Sequence, residues 1–283
     1  MTCAKLPNLD PDDRLLLDPL AALGIGADAV VWDDAGVNWG AYDLVVLRST
    51  WDYARRRDEF VAWARTVPRL ANPADVVAWN TDKRYLAELG SAGVPMVPTE
   101  WIAPADAWAL PTRGEWVIKP AVGAGSLDAG RYDTADGSHR ELAAAHVAGL
   151  QRAGRLVMVQ PYLPAVDTYG ETSLLFLGGR YSHAVRKGPM LTGPDAAVDG
   201  LYKEEDIERR QPSEVEIAVG NHALAAVPGG AQRLLYARVD LIPGRDGEPL
   251  VVELELTEPS LFLATAPPSA STFAAAIATA AHH

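Results

Sequence analysis

Cys3 is the single cysteine in 283 residues, so no internal disulfide framework can hold this chain together. A lone thiol fits a reducing compartment, and a cytoplasmic location is expected. Positive charge is also in short supply: 25 Lys and Arg stand against 37 Asp and Glu, a net charge of −12. That balance argues against a broad nucleic-acid-binding surface. It leaves room for a local positive pocket that takes a small anion. No apolar run approaches the ~20 residues that span a bilayer. No basic segment followed by an apolar core opens the chain, so neither a membrane partner nor a signal peptide is expected. Internal repeats are missing, as are a Walker A pattern and a G-x-S-x-G elbow. His139, His146, His183 and His222 lack metal-ligand spacing and read as structural.

What is present reads as alternating strands and helices. Residues 13–24 form a helix stopped by Gly24, 28–32 a strand, 42–50 an apolar strand, and 59–66 a helix. Strands separated by helices imply a parallel sheet whose function collects at the carboxyl ends of its strands. Arg48, Asp52 and Tyr53 lie at such an end and are candidates for substrate recognition; a loop packed over Trp51 is the plainer alternative. Further on come a short helix in 81–93, a strand at 116–120 that breaks into the loop AVGAGS (121–126), and a helix over 139–154. A buried strand at 156–163 and a hairpin over 171–187 turning at Gly178-Gly179 follow. Residues 188–212 read as a loop, and 213–227 as a helix with Ser213 and Glu216 forming a capping box. Strands 233–242 and 249–256 flank a final turn, and an Ala-rich tail ends the chain.

The stretch VVELELTEPS (251–260) poses the chemical question. Alternation along a strand puts Glu253 and Glu255 on one face, ~7 Å apart. Acidic residues are depleted in strands, and like charges resist burial together. Pairing Ile242 with Val251 sets Asp240 opposite Glu253 and Arg238 opposite Glu255. Three carboxylates on one patch suit a hard divalent cation such as Mg²⁺, held with the help of substrate phosphates. A solvent-facing hairpin is the alternative that this pattern leaves open. Lys119 precedes a glycine-containing loop whose N–H groups could approach anionic oxygens, although a solvated lysine beside an ordinary flexible turn is the plainer reading of these residues alone.

The order of these features narrows the choice. Asp82-Lys83, VIKP (117–120), AVGAGS, VQPYL (159–163), GETSLLFL (170–177), Arg238-Val-Asp240 and Glu253-Leu-Glu255 follow one another as in the ATP-grasp superfamily, which this chain resembles over roughly 80–263. DLVVLRSTWDY and VVAWNTDKRYL make it similar to the group containing the O-ureido-D-serine cyclo-ligase of D-cycloserine biosynthesis, over about 9–263.

The resemblance implies an α/β and α+β protein, an ATP-grasp fold: an N-terminal parallel α/β substrate domain (1–78) and two α+β lobes (79–159 and 160–283) enclosing ATP. It implies ATP and Mg²⁺ as cofactors and an amino-acid-like small-molecule substrate; the oligomeric state stays open, a homodimer among the options. Lys83 and Lys119 would neutralise phosphates, with Gly123, Gly125 and Ser126 as the covering loop. Gln160 and the backbone at Tyr162 and Leu163 would read adenine, and Asp167 or Glu171 the ribose. Asp240, Glu253 and Glu255 would hold the metal, and Arg186 and Arg238 would stabilise transferring charge. Many superfamily members carry Asn where Glu255 stands, which leaves the ion count open between one and two. The expected first strand is mostly missing from the opening residues, so it is short or the start is assigned late. The implied activity is carbon–nitrogen ligation through an acyl-phosphate, intramolecular if the cyclo-ligase likeness holds. Intermolecular ligation and nucleotide binding without turnover are the alternatives.

Overall fold

The computed structural model describes residues 1–195 and 206–282. Helix α1 (Leu17–Ala22) follows a short 3-10 turn, and Gly24 beyond it takes a φ of 75° that suits its missing side chain. Strands β1 (Val45–Val46) and β2 (Leu70–Ala71) pair in parallel across helix α2 (Arg57–Ala64). The parallel arrangement is the one expected, but the strands are shorter. The strand anticipated at 28–32 is reduced to one bridge, Val31 to Thr2. Asp28 and Ala29 are exposed and only Trp32 is buried, so the segment lacks the two covered faces of a parallel strand.

Helices α3 (Ala74–Asn80) and α4 (Tyr85–Ser91) lead to an antiparallel sheet of β3 (Glu100–Ile102), β4 (Glu115–Pro120), β5 (Gly130–Asp133) and β6 (Val157–Pro161), in the order β3-β6-β4-β5. Helix α5 (Gly137–Arg152), capped by the Asp136 carboxylate, covers one face through Ala143, Val147 and Leu150 against Ile118, Val157 and Val159. Alternation therefore turns Val117, Lys119 and Gln160 to the opposite face.

After α6 (Val166–Tyr169) comes a five-stranded antiparallel sheet. It is built from β7 (Glu171–Leu177), β8 (Arg180–Lys187), β9 (Ile207–Arg210), β10 (Tyr236–Pro243) and β11 (Pro249–Glu255), in the order β11-β10-β7-β8-β9. Helices α7 (Glu214–Ala225) and α8 (Pro268–Ala281) complete the chain. The hairpin turns at Gly178 and Gly179 (φ 58° and 75°), a two-residue turn that needs positive φ at both positions. Both halves of the Ser213–Glu216 capping box form. Two expectations need correction. Strand β9 lies inside the segment read as a loop at 188–212, of which 196–205 fall outside the described residues. The Ala-rich tail is a full helix, its Phe273, Ala274 and Ile277 buried.

Each face of the larger sheet has its own task. Leu174, Phe176, Val239 and Leu254 pack toward α7. The other face carries Leu175, Leu177, Val185 and Tyr236 beneath Phe273 and Leu261, and then turns polar. Covered at one end by α8 and open at the other, this face becomes the floor of a cleft. Among the described residues no helix is long and apolar enough to cross a membrane.

The α7 contact is tight: a Cβ on Gly220 would stand 2.7 Å from Leu174 Cδ1 and 3.2 Å from the Phe176 ring. Gly220→Val should therefore lower unfolding free energy by about 1–3 kcal/mol, read from urea midpoints. Gly137→Ala, whose Cβ would meet nothing within 4 Å, should stay within about 0.5 kcal/mol of the parent.

Candidate active site

Strand β11 is an edge strand, and its outer backbone groups are satisfied from outside the sheet. The Asn80 side chain donates to Leu254 O (2.8 Å) and accepts from Leu256 N (2.7 Å), while the Tyr85 hydroxyl accepts from Leu254 N (2.9 Å). Val251 N donates to Pro95 O. This suture from α3 and α4 fixes which way Glu253 and Glu255 point. Asp240 pairs with Glu253 and Arg238 with Glu255, as the sequence suggests. Near the turn, however, Ile242 pairs with Leu250, because a bulge at Val252 absorbs one residue.

The cleft above this floor has a volume of about 450 Å³. Lys83, Lys119, Gly123, Gly125, Ser126, Gln160, Tyr162, Leu163, Glu171, Arg238, Glu253 and Glu255 all line it, together with Tyr53. Opposite charges interleave across it. Lys83 Nζ lies 3.0 Å from Glu253 and donates to Gly123 O at 2.6 Å. Arg238 grips Asp240 at 3.0 and 3.1 Å and also pairs with Glu255. Lys187 sits between Glu171 (2.9 Å) and Asp240 (2.8 Å). Lys119 is the exception: its ammonium has no hydrogen-bond or ion-pair partner among the described residues.

These contacts decide the protonation states. Burial opposes charge on Asp240, but Arg238 and Lys187 outweigh it and hold the carboxyl well below its usual range. Burial likewise opposes ionisation of Glu253, and Lys83 with Lys119 overcomes it. For Glu255 burial wins over Arg238, and its carboxyl is pushed up to about 7. Burial lowers the Lys119 ammonium, while Glu253 keeps Lys83 above its ordinary value against the same effect.

Among the described residues no three His, Cys, Asp or Glu side chains gather into a metal cage. The three expected carboxylates share one face, but cations stand between them, and Asp240 has both oxygens engaged. The donor set fits a Mg²⁺ that arrives with phosphates. Hard carboxylate oxygens of Glu253 and Glu255 face the cleft beside lysines able to turn to those phosphates.

At one end the walls are apolar: Val97, Val117, Leu163, Val166, Ile242 and Val252 form a slot. Tyr162 N donates to Glu115 O and Leu163 O accepts from Val166 N, so those two groups are taken. Among the described residues Leu163 N–H and Tyr162 C=O have no such backbone partner. Gln160 reaches the slot with its amide donating to Thr99 Oγ1 at 2.8 Å.

Four expected site residues lie elsewhere. Arg48 is buried, bound to Asp13 (2.8 Å) and Pro259 O (2.6 Å), with its guanidinium over the Tyr236 ring. It holds the 258–260 segment in place and does not face the cleft. Asp52 accepts from the Trp32 indole at 2.9 Å, away from the cleft. Asp167 is held by Arg131 (3.1 Å) and the Tyr162 hydroxyl, whereas Glu171, the other acid expected there, lines the cleft. Arg186 projects to the α7 side and binds Tyr169 O at 2.9 Å. The cause is a bulge. Leu175 pairs with His183 but Phe176 with Tyr181, so Ser182 is extra and Glu171 meets Lys187. An unbroken register would have paired Glu171 with Arg186. Lys187, Glu258, Asn80 and Tyr85 are the residues that sequence reasoning missed; only Lys187 left a signal, as a cation next to a strand already assigned to the site.

Comparison with known proteins decides the family. Residues 1–72 match the family model described as the N-terminal domain of D-cycloserine synthetase DcsG. The cycloserine biosynthesis protein DcsG of Streptomyces lavendulae is 41% identical over 95% of this chain and 94% of its own length. This chain belongs to the DcsG family. The crystal structure of D-cycloserine synthetase DcsG superposes with a TM-score of 0.87 at 39% identity, covering 99% of this chain and 98% of that one. The ATP-grasp ligase PsnB, solved with a minimal precursor, Mg and ADP, shares the fold at a TM-score of 0.58 and 20% identity, covering 97% and 95% of the two chains. The DcsG-family chain described here is thus an ATP-grasp enzyme, an ATP-dependent carbon–nitrogen ligase.

The bulge generates a test. Lys187→Met should lower ADP formation by about a hundredfold or more and destabilise the fold by about 1–3 kcal/mol, since among the described residues Asp240 is left with Arg238 as its one cationic partner. Arg186→Met should change ADP formation by less than about threefold. Equal losses in the two variants would contradict the assignment.

Proposed function

We propose that this enzyme activates the carboxylate of an amino-acid derivative carrying a second nitrogen, of the O-ureido-D-serine type, and closes it into a ring. Support comes chiefly from the Lys119 ammonium, unpaired among the described residues, which faces Glu253 across a cleft that also contains Lys83 and Lys187. Three lysines beside two cleft-facing carboxylates suit a polyphosphate with its metal, and the adjoining apolar slot suits a purine.

In this reading, Lys83, Lys119 and Lys187 neutralise the phosphates, and the Gly123–Ser126 loop covers them. Leu163 N–H and the Gln160 side chain orient adenine, and Glu171 accepts from ribose. Glu253 and Glu255 hold Mg²⁺, which supplies neutralisation of charge on the transferring phosphoryl group. Asp240 keeps Arg238 and Lys187 in position from its buried place beneath them.

The γ-phosphoryl passes to the substrate carboxylate, and ADP leaves. The substrate's own nitrogen then attacks the acyl carbon, inorganic phosphate departs, and the attacking nitrogen gives up a proton. Arg238, which lines the cleft, stabilises the tetrahedral oxyanion. Holding both ends of one molecule near attack geometry makes ring closure favourable over capture of a second amine. The same reading keeps the three-part division at 78/79 and 159/160, with β6 continuing two residues into the third part.

The test is ADP release with Mg²⁺, ATP and single amino acids, followed by mass spectrometry of the products. A ureido- or aminooxy-substituted D-serine alone should release ADP and yield a cyclised product. A requirement for a second amine would overturn the intramolecular assignment. Lys119→Ala should weaken ATP binding by about 1.5–3 kcal/mol, and unchanged affinity would remove its phosphate role.

A further inference from the structure

Among the described residues, three of the carboxylates lining the cleft pair with cations and three do not. Glu171 pairs with Lys187, Glu253 with Lys83, and Glu255 with Arg238. Asp12 accepts the backbone N–H groups of Leu263 (2.9 Å) and Ala264 (2.8 Å), and Asp10 accepts that of Asp12 (2.9 Å). Glu258 is 7% exposed and lines the cleft, yet it forms no ion pair among the described residues. The neutral hydroxyl of Tyr53, itself buried, is its hydrogen-bond partner.

A buried carboxylate without a counter-charge is costly unless something supplies the charge. The segment is also held rigidly in place. The Trp51 indole donates to Glu258 O at 2.9 Å and Arg48 to Pro259 O at 2.6 Å, while Asp12 caps the turn after Phe262. Sequence order along β11 and beyond gives the layout: Val252 in the apolar slot, Glu253 and Glu255 beside the lysines, and Glu258 past them. Glu258 therefore stands at the end of the cleft left for the organic substrate.

We propose that Glu258, with the Tyr53 hydroxyl, forms the subsite that holds the α-ammonium group of the substrate. The assignment rests on the ligase reading above and adds what sorts the two nitrogens. An α-amine is cationic at neutral pH, whereas a ureido or aminooxy nitrogen is neutral and keeps its lone pair. A carboxylate partner selects the cation and keeps the proton on it. That nitrogen then serves as the anchored end of the substrate, and the neutral nitrogen at the other end, which can close a five-membered ring, is presented to the acyl carbon.

Calorimetric titration into protein loaded with Mg²⁺ and AMPPNP tests the subsite without turnover. The two probes are aminooxy-D-serine and 3-aminooxypropanoate, which lacks the α-amino group. Wild-type protein should prefer the first. Glu258→Gln should weaken its binding by about 10- to 100-fold, leaving 3-aminooxypropanoate and AMPPNP affinities unchanged. Tyr53→Phe should erode the same preference by a smaller factor, and it carries the comparison if Glu258→Gln fails to fold. Equal binding of the two probes by the wild type would overturn the proposal. So would equal weakening of both by Glu258→Gln, no effect of the variant on either, or a loss confined to AMPPNP. ADP release by the wild type is scored separately: a protein that discriminates the probes but releases no ADP keeps the subsite and loses the ligase assignment.

Discussion

The structure depends on one constraint: five charged side chains from β7, β8, β10 and β11 are linked by ion pairs on one sheet face, and none can be buried without the others. Asp240 is nearly inaccessible and survives ionised because Arg238 and Lys187 reach both its oxygens. Those cations reach on to Glu255 and Glu171. Removing any member would strand its neighbour in a poorly solvated place, which is the costly event in buried ionic networks. The network lies on a face that is apolar under α8 and polar where no helix covers it.

Because each carboxylate on the floor is balanced by a cation, the cleft offers an exchange of partners. Under the proposed function, phosphate oxygens would take over Lys83 and Lys187 from Glu253 and Glu171, and the freed carboxylate at Glu253 would hold the metal in their place. Nucleotide binding then substitutes one set of charge pairs for another, with little net burial of unpaired charge. Lys119, already without a partner among the described residues, needs no such exchange. The family assignment and the site's electrostatics point in the same direction from independent starting points.

Much of this was legible in the sequence, for physical reasons that can be named. The Asp240–Glu253 and Arg238–Glu255 pairs follow from strand periodicity and one hairpin. Lys119 was marked by its place between a strand and a glycine-containing loop and Gln160 by the family resemblance alone, and alternation turns both away from the apolar face of their strands. Bulges were not legible. The one at Val252 did no harm, because it lies between the site and the turn, whereas the one at Ser182 exchanged Arg186 for Lys187 at the site. Long-range roles were hidden as well. Arg48 sits at the expected strand end, but its partners Asp13 and Pro259 are 35 and 211 residues away in sequence. Nothing local marks Asn80 and Tyr85 as the groups that complete the edge of β11. Helix α8 was lost in an alanine-rich tail because Phe273 and Ile277 alone carry its apolar face beyond alanine.

The central claim is that the charge network on this sheet face is a seat for metal-bound nucleotide. A crystal structure grown with Mg²⁺ and AMPPNP tests it most directly. It should reveal phosphate oxygens within hydrogen-bond reach of Lys83, Lys119 and Lys187, with the ion on Glu253 and Glu255. Nucleotide bound away from the cleft, with the Lys83–Glu253 and Lys187–Glu171 pairs intact, would contradict the account.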